Sequence, residues 1–303
     1  MGSEVKMNTD LDKSRSVGND AVGKPLPTAL AIHDLSCFGK CALTVVLPVL
    51  SASGVETVPI PTALLSTHTG GFDGYYFEDL TSQMGEISKH LSELNIEINA
   101  IYTGFLGSEA QIDKVCGIID AFDKNDALVL VDPVMGDDGR LYSTYTNELM
   151  LGMRELCKKA DVITPNVTEA CFLTDTEYKD IIDGGEEEAF EYVSSMAKKL
   201  LSFGVDKIVI TGIHYGNMVA TYGFSRDGGE FMHSSEYVKH PYPGTGDLFA
   251  SVLLGALLRG RDFEDATVLA SDFTKRVIEY SARFNTPIRN GVAFEPFLLE
   301  LNK

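Results

Sequence analysis

Residues 127–134 read ALVLVDPV, a short apolar run that ends in an acidic residue and a proline. A short apolar run with several β-branched residues, bounded by turn residues, is typical of a strand buried on both faces. Such strands occur in parallel sheets whose two faces are covered by helices. The run therefore predicts an α/β protein and places the Asp132 carboxyl group where a buried strand ends.

Similar runs recur on both sides of this one and alternate with helical patterns, which predicts a mostly parallel sheet between helices. Strand patterns occupy residues 28–34, 56–66, 100–105, 127–134, 161–165 and 206–213. Helix patterns occupy residues 40–53, 76–95, 109–124, 187–203, 247–259, 263–283 and 294–301. Residues 217–225 and 230–238 read as an antiparallel hairpin, which places antiparallel strands at one edge of the sheet.

Length and charge limit the organisation and the partners of the chain. It has 303 residues, of which 44% are apolar, and its formal net charge is −19. Residues 28–303 contain no linker and are predicted to form one domain, after a disordered or loosely packed arm at residues 1–27. The acid excess argues against nucleic acid as a partner, because binding its phosphate backbone needs a basic surface.

The sequence contains no pattern for secretion or for crossing a membrane. The longest apolar run, residues 42–50, is interrupted by Pro48 and is too short to cross a bilayer. The first 27 residues contain no apolar signal segment. The five cysteines have neither the spacing of a disulfide framework nor that of a zinc site. We therefore expect a cytoplasmic protein without a membrane partner.

The strongest candidate site is Gly244-Thr245-Gly246-Asp247, which precedes an apolar helix pattern. Glycines allow a tight turn and a close approach to a ligand, and a helix N-terminus favours a bound anion. A carboxyl group at this place suits the removal of a proton from a hydroxyl that attacks a phosphate. It also suits the ordinary capping of a helix, and the tetrapeptide alone leaves both interpretations open.

Polar residues follow three further predicted strands. Asp132 is interpreted either as a carboxylate that faces a cation or as a turn residue. The segment TPNVTE at residues 164–169 ends in Glu169, which is interpreted either as a group that binds Mg²⁺ or as an acidic residue in the first turn of a helix. Thr211-Gly212 follows the strand KIVI and suits a nucleotide. Together with GTGD these residues fit phosphoryl transfer, which depends on positioning and charge neutralisation. HExxH, GxSxG and protein-kinase signatures are absent, and no GxGxxG follows the first strand.

The ordered set VDPV, TPNxxE and GTGD resembles the ribokinase-like superfamily from about residue 28 to residue 285. Within that superfamily, the segments STHTG (66–70), YTGF (102–105) and VDPVMGDDGRLY (131–142) resemble the pyridoxal (vitamin B6) kinase family. The resemblance implies a three-layer α/β/α sandwich with a mostly parallel central sheet and antiparallel edge strands. It also implies ATP-dependent phosphorylation of the 5′-hydroxymethyl group of pyridoxal, pyridoxine or pyridoxamine, by a chain that is commonly a homodimer.

The resemblance assigns roles at the phosphoryl-transfer end of this site. Asp247 would be the general base, and the amides of Gly244, Thr245 and Gly246 would hold the transferring phosphoryl group. Residues 137–142 would form a loop that covers the phosphates.

The resemblance also assigns the nucleotide and metal contacts. Asp132 and Glu169 would arrange Mg²⁺, with Asn166 beside them. Thr164 would lie near the ATP phosphates and a monovalent cation such as K⁺, and the strand residues Thr211 and Gly212 would contact the nucleotide.

Ser36 and Thr69 match the places that hold the pyridine ring. On the first strand, the ring contact remains open among His33, Asp34 and Ser36, because the segment HDLSCFGKC departs from the family pattern.

Three other functions compete with this one. A hydroxymethylpyrimidine kinase of thiamine synthesis would share the fold and the chemistry. A sugar kinase of the same superfamily is disfavoured, because residues 39–43 read GKCAL instead of a Gly-Gly-rich sugar motif. A nucleotide-binding regulatory protein without catalysis is disfavoured by the retention of Asp247 and of both glycines.

Overall fold

A nine-stranded sheet runs through the residues that the computed structural model describes, which are 26–123, 126–142, 145–284 and 286–302. The eleven strands of the described residues are β1 (Thr28–Ser36), β2 (Glu56–Leu65), β3 (Phe77–Asp79), β4 (Ala100–Thr103), β5 (Leu128–Val131), β6 (Gly136–Asp137), β7 (Arg140–Leu141), β8 (Val162–Ile163), β9 (Lys207–Tyr215), β10 (Met218–Ser225) and β11 (Glu230–Glu236). Nine of them form the large sheet, and β6 and β7 pair with each other in a separate two-stranded sheet. The α-helices are α1 (Leu43–Ala52), α2 (Thr81–Glu93), α3 (Glu109–Phe122), α4 (Asn147–Cys157), α5 (Val167–Thr174), α6 (Gly185–Leu201), α7 (Thr245–Leu258) and α8 (Phe263–Ser281).

The strand order of the sheet is β11-β10-β9-β8-β5-β4-β1-β2-β3. The six strands from β9 to β2 in that order are parallel to their neighbours, which confirms the mostly parallel centre. The predicted hairpin forms β10 and β11 and is antiparallel at one edge. The short β3 is antiparallel to β2 at the other edge, so antiparallel strands border the sheet on both sides.

Apolar side chains cover both faces of the sheet and form two cores. On β1, Leu30 and Ile32 pack into a core that includes side chains of α2 to α6. Ala29 and Ala31 point to the other face and pack with side chains of α1, α7 and α8. Successive residues of a strand face opposite sides of a sheet, so one apolar run supplies both layers. The predicted three-layer α/β/α sandwich is confirmed.

The helix predicted at residues 76–95 was wrong at its beginning. Residues Phe77–Asp79 form β3, and α2 begins at Thr81 after the Asp79 Oδ1 atom accepts a hydrogen bond from the Thr81 N–H at 2.8 Å. The backbone of these residues pairs with the edge of β2, so hydrogen bonding to the sheet overrides the helical spacing. The helix predicted at residues 294–301 is a 3₁₀ turn, Glu295–Glu300.

Helix α4 was not predicted, and α5 was anticipated only through the interpretation of Glu169 as a residue in the first turn of a helix. Helix α4 is amphipathic, with Leu149, Met153 and Leu156 buried, and the Thr146 hydroxyl oxygen accepts a hydrogen bond from the Leu149 N–H. This start signal was present in the sequence. Helix α5 begins with a capping box, in which two side chains and two backbone amides satisfy one another. It has only eight residues, and almost all of them are buried, so it lacks an amphipathic pattern.

The predicted arm at residues 1–27 lies outside the described residues, except for Leu26 and Pro27. Among the residues that are described, no helix combines the length and the apolar character that crossing a membrane requires.

Candidate active site

The parallel strands bring several predicted site residues to one edge of the sheet. Asp132 directly follows β5, Thr164 directly follows β8, and Ser36 ends β1. Because β8, β5, β4 and β1 are neighbours, these residues come to the carboxyl edge, where α/β proteins bind ligands. Asp247, in the first turn of α7, lies at the same edge and faces Asp132 and the acidic group of Asp34.

Gly244 sets the position of the α7 N-terminus. Its φ angle is +77°, and a Cβ atom there would lie 2.1 Å from the carbonyl oxygen of Lys40. Only glycine fits such a conformation and such a close approach without strain. No side chain caps this helix, whose first N–H groups have no intrahelical partners. The amides of Gly244, Thr245 and Gly246 therefore belong to a helix end that can receive an anion.

The carboxyl group of Asp247 has one fixed oxygen and one open oxygen. Its Oδ2 atom accepts a hydrogen bond from the Ala42 N–H at 2.8 Å, and its Oδ1 atom lies 3.9 Å from Nδ1 of His33. Burial, reinforced by the negative charge of Asp34, raises the pKa of Asp247 to about 7. A carboxyl group with this pKa is suited to accept and release a proton near neutral pH.

Asp132 lies beside the first turn of α7. The Thr164 hydroxyl donates a hydrogen bond to its Oδ1 atom at 3.0 Å, and its Oδ2 atom lies 3.7 Å from the place of a Cβ on Gly246. Burial raises the pKa of Asp132, and the charge of Asp247 raises it further. Thr164 therefore orients a carboxyl group that is next to the candidate anion site.

Both carboxylate oxygens of Glu169 accept hydrogen bonds from backbone amides. Oε1 accepts from the Met135 N–H at 3.0 Å, and Oε2 accepts from the Asn166 N–H at 2.8 Å. The Asn166 side chain in turn accepts from the Glu169 N–H at 2.9 Å, which completes the capping box of α5. Burial and the charge of Asp132 raise the pKa of Glu169. The structure thus places Glu169 near Asp132 and holds it rigidly.

Asp132 and Glu169 fit a divalent cation by their charge. Both are buried, the charge of Asp132 raises the pKa of Glu169, and the charge of Asp247 raises the pKa of Asp132, so the negative charges of this cluster lack compensation. The described residues contain no group of three or more His, Cys, Asp or Glu side chains that could enclose a metal ion. Mg²⁺ does not require such a group, because it uses one or two carboxylates together with water and substrate phosphates.

Thr211 and Gly212 were predicted at the end of the strand KIVI, but the structure places them inside β9. The Thr211 N–H donates to the carbonyl oxygen of Pro165 at 3.0 Å, and Thr211 forms an isolated bridge with Asn166. Gly212 has a φ angle of +74°, and the space beside its Cα is open. The strand runs on to Tyr215, but its backbone kinks at the residue predicted to contact a nucleotide.

Ser36 is buried at the end of β1, where its hydroxyl donates a hydrogen bond to Oδ2 of Asp34 at 2.8 Å. Burial raises the pKa of Asp34 to about 6. Thr69 lies on an exposed segment after β2. The neighbouring His68 accepts a hydrogen bond from the Gly70 N–H through Nδ1, and its Nε2 atom lies 2.7 Å from the Arg289 carbonyl oxygen. His68 therefore has a structural role in holding this segment.

Comparison with known proteins identifies the family. The sequence model of the phosphomethylpyrimidine kinase family matches residues 43–291. The chain belongs to the phosphomethylpyrimidine kinase family. The matched residues include Asp132, Glu169 and Asp247 of this kinase, whereas Ser36 lies just before them.

Solved structures are similar to this kinase along nearly its whole length. A candidate phosphomethylpyrimidine kinase from Bacteroides thetaiotaomicron is 37% identical, with a TM-score of 0.86 over 93% of this chain and 95% of that one. A second crystal form of it, with pyridoxal, gives 36% identity and a TM-score of 0.85 over 91% and 96%. Pyridoxal kinase from Lactobacillus plantarum is 29% identical, with a TM-score of 0.81 over 91% and 96%.

A relative whose name gives pyrimidine substrates instead of pyridoxal is also similar to this chain. The hydroxymethylpyrimidine/phosphomethylpyrimidine kinase of Bacillus subtilis is 28% identical over 228 residues, which are 72% of this chain and 76% of that protein. Both groups of relatives phosphorylate small molecules according to their names. The fold and the family resemblance are confirmed, and the names of the relatives divide between the two substrate classes.

Proposed function

We propose that this kinase transfers the γ-phosphoryl group of ATP to the 5′-hydroxymethyl group of a vitamin B6 vitamer. The observation that carries the proposal is the Asp247 carboxyl group, which is largely buried, with 14% of its side chain exposed, at the uncapped N-terminus of α7 and has one oxygen left open. The similarity to the Bacteroides protein crystallised with pyridoxal supports the choice of substrate.

Asp247 acts as the general base in this proposal. Its carboxylate takes the proton from the hydroxymethyl group, and the oxygen then forms a bond to the γ-phosphorus of ATP. The bond between that phosphorus and the β,γ-bridging oxygen breaks, and ADP leaves with the electron pair. The pKa of Asp247, about 7, lets the group be ionised before the reaction and protonated after it.

The N-terminus of α7 stabilises the transferring group. The amides of Gly244, Thr245 and Gly246 point outward from an uncapped helix end, and the helix dipole adds a partial positive charge there. Fixed donors that are directed at developing negative charge usually provide the largest electrostatic contribution to catalysis. The small side chains leave the backbone accessible to the phosphoryl oxygens.

The acidic groups on the nucleotide side hold Mg²⁺ in this proposal. Asp132, oriented by Thr164, is the direct ligand, and Glu169 contributes charge from its fixed position. When bound, the ion neutralises phosphate charge and aligns the phosphates. In this proposal Thr164 would also contact a monovalent cation such as K⁺ beside the phosphates.

The remaining contacts divide between the two substrates. Asn166, Thr211 and Gly212 contact the nucleotide, where Asn166 and Thr211 are bridged and Gly212 leaves open space. Ser36 and Thr69 contact the pyridine ring. Ser36 is buried beside Asp34, and Thr69 lies on the exposed segment after β2.

Phosphorylation of hydroxymethylpyrimidine is the second candidate function. The family match and the Bacillus subtilis relative favour it. Both acceptors are nitrogen heterocycles that carry a hydroxymethyl group, so Asp247 and the α7 amides would serve either one. The ring contacts alone would distinguish them.

The decisive experiment is ADP release with MgATP and a panel of acceptors: pyridoxal, pyridoxine, pyridoxamine, hydroxymethylpyrimidine and ribose. Asp247→Asn serves as the blank. We expect turnover with at least one B6 vitamer. Turnover with hydroxymethylpyrimidine alone would keep the mechanism and replace the substrate, and turnover with none of the heterocycles would refute the proposal.

A further inference from the structure

The imidazole of His33 is a buried polar group that the proposed mechanism does not use. It lies near the end of β1 and is fully buried, and neither ring nitrogen has a hydrogen-bond partner among the described residues. Its ring packs against the Tyr102 ring in a T-shaped arrangement, with centroids 4.3 Å apart. Buried polar groups without partners are rare in proteins, so this one requires an explanation.

The neighbouring strand leaves room for this ring. A Cβ atom on Gly104, which follows β4, would lie 2.3 Å from Nδ1 of His33, closer than any real contact. Because Gly104 has no side chain, the Nδ1 edge of the imidazole can occupy this space. The ring lies on the face of the sheet that α7 covers, as shown by its distance of 3.9 Å from Asp247.

The two atoms that face each other are Nδ1 of His33 and Oδ1 of Asp247. The other oxygen of Asp247 already accepts a hydrogen bond from the Ala42 amide, so Oδ1 is the atom left open toward His33. A movement of about 1 Å would turn the 3.9 Å separation into an ordinary N–H···O hydrogen bond.

The charges around this pair favour a neutral His33 imidazole that donates an N–H group to the Asp247 carboxylate. Asp34 on β1 and Asp132 after β5 are acidic, and both interact electrostatically with Asp247. The other titratable groups that face the pair are the Cys41 thiol and the Tyr102 hydroxyl, and burial raises the pKa of both. Burial lowers the pKa of His33 to about 3, so the imidazole stays neutral and offers one N–H.

We propose that His33 is a positioning residue for Asp247, whose Oδ1 atom accepts a hydrogen bond from the Nδ1–H of the imidazole. The proposal rests on the proposed function, in which Asp247 is the general base. Together with the Ala42 amide, His33 fixes the carboxylate plane, so that the remaining lone pairs of the carboxylate face the acceptor hydroxyl. The hydrogen bond also stabilises the ionised form, which is the form that accepts the proton.

Three substitutions separate this role from simple packing. His33→Leu removes both nitrogens, His33→Asn keeps an amide donor near the place of Nδ1, and His33→Gln moves the amide toward the place of Nε2. We expect His33→Leu and His33→Gln to lower kcat about ten-fold, the scale of one hydrogen bond. The KM for MgATP should stay unchanged, and His33→Asn should recover most of the lost kcat.

The matched control is Tyr222→Phe, which removes another buried and unpartnered polar atom on the distant strand β10. It should leave kcat unchanged. If the Leu, Asn and Gln variants lose the same activity, His33 is a packing residue and the proposal is wrong. If His33→Leu does not fold, comparing the kcat of His33→Asn with that of His33→Gln still distinguishes the positioning role from a packing role.

A second measurement does not depend on activity. The titration of Asp247 is followed by NMR of protein labelled with ¹³C in the aspartate carboxyl groups, and the signal is assigned by its loss in Asp247→Asn. Loss of a donor to the carboxylate should raise the pKa of Asp247 by about one unit in His33→Leu. An unchanged or lowered pKa would overturn the proposal.

The two measurements also separate this proposal from the proposed function. Suppose that the protein is an active kinase, that Asp247→Asn is inactive, and that the pKa of Asp247 does not change in His33→Leu. The proposed function is then supported, and the inference about His33 is wrong. If the protein phosphorylates none of the acceptors but the pKa of Asp247 rises in His33→Leu, the proposed function is wrong and the hydrogen bond is supported.

Discussion

The N-termini of α5 and α7 make a useful comparison, because each lies at the carboxyl edge of the sheet and each carries an acidic residue in its first turn. At α5, the side chains of Asn166 and Glu169 form a closed capping box. At α7, Gly244 provides no side-chain cap. The first helix end is satisfied by its own side chains, and the second is left open for an anion.

The two acidic residues differ in the same way. Both carboxylate oxygens of Glu169 accept backbone N–H groups, whereas Asp247 has one such bond and its Oδ1 atom faces the His33 imidazole at 3.9 Å. Burial raises the pKa of both groups. The number of backbone hydrogen bonds therefore distinguishes a carboxyl group that holds structure from one that can exchange a proton.

The largest expected effect is on turnover in Asp247→Asn. The asparagine Oδ1 atom can still accept the Ala42 N–H, so the fold should persist while the base is lost. We expect kcat to fall by roughly two to four orders of magnitude, the scale of a general base. ADP release measures kcat, and urea unfolding serves as the control. Normal turnover would contradict the role of Asp247.

The same chemical change at Glu169 should act mainly on stability. In Glu169→Gln one of two backbone amides, that of Met135 or of Asn166, loses its acceptor. An unsatisfied buried donor costs about 1–3 kcal/mol, and urea unfolding should show a loss of this size. Glu148→Gln is the matched control, because Glu148 is an exposed acid in the first turn of α4. Equal stabilities of the two variants would contradict the comparison.

The most gradual expected effect is the pH dependence that Asp247 adds to stability, because it is spread over several pH units. Its pKa is about 7 in the folded chain, compared with the ordinary 3.8 of an aspartate side chain. Between these pH values the folded state holds a proton that the unfolded state has lost, so its stability decreases as the pH rises. Relative to Asp247→Asn, the free energy of unfolding should fall by up to about 1.4 kcal/mol per pH unit.

Urea unfolding of both proteins from pH 4 to pH 8, without Mg²⁺ or nucleotide, measures this difference. Above about pH 7 the difference should become constant, because both states are then ionised. A constant difference over the whole range, or one of the opposite sign, would show that Asp247 is not buried as described.

The fold was largely predictable because its strands are local apolar runs. The segment ALVLV became the buried β5 (Leu128–Val131), with Asp132 directly after it. Prediction failed where tertiary pairing competed with local spacing, as at Phe77–Asp79, which joins the edge of β2. It also failed for α5, whose burial on nearly all sides removes the amphipathic pattern.

The candidate site was predictable as a set of residues but not as an arrangement. Asn166 and Glu169 were taken as groups near a metal ion, with the first turn of a helix as the alternative for Glu169, and the structure shows that both form the capping box of α5. A capping box is a sequence pattern of three-residue spacing, so this signal was available. His33 was considered only as one of three ring contacts, because a single polar residue in an apolar strand does not reveal its neighbours.

The sequence alone determined the α/β class, the family resemblance and the glycine turn before α7, because each depends on short runs and fixed spacings. The tertiary structure decided what surrounds Asp247: the Ala42 amide, the His33 ring and the charge of Asp34. These groups lie about 200 residues away along the chain. The pKa and the orientation of a buried carboxyl group depend on such contacts, which form only when the strands are assembled into the sheet.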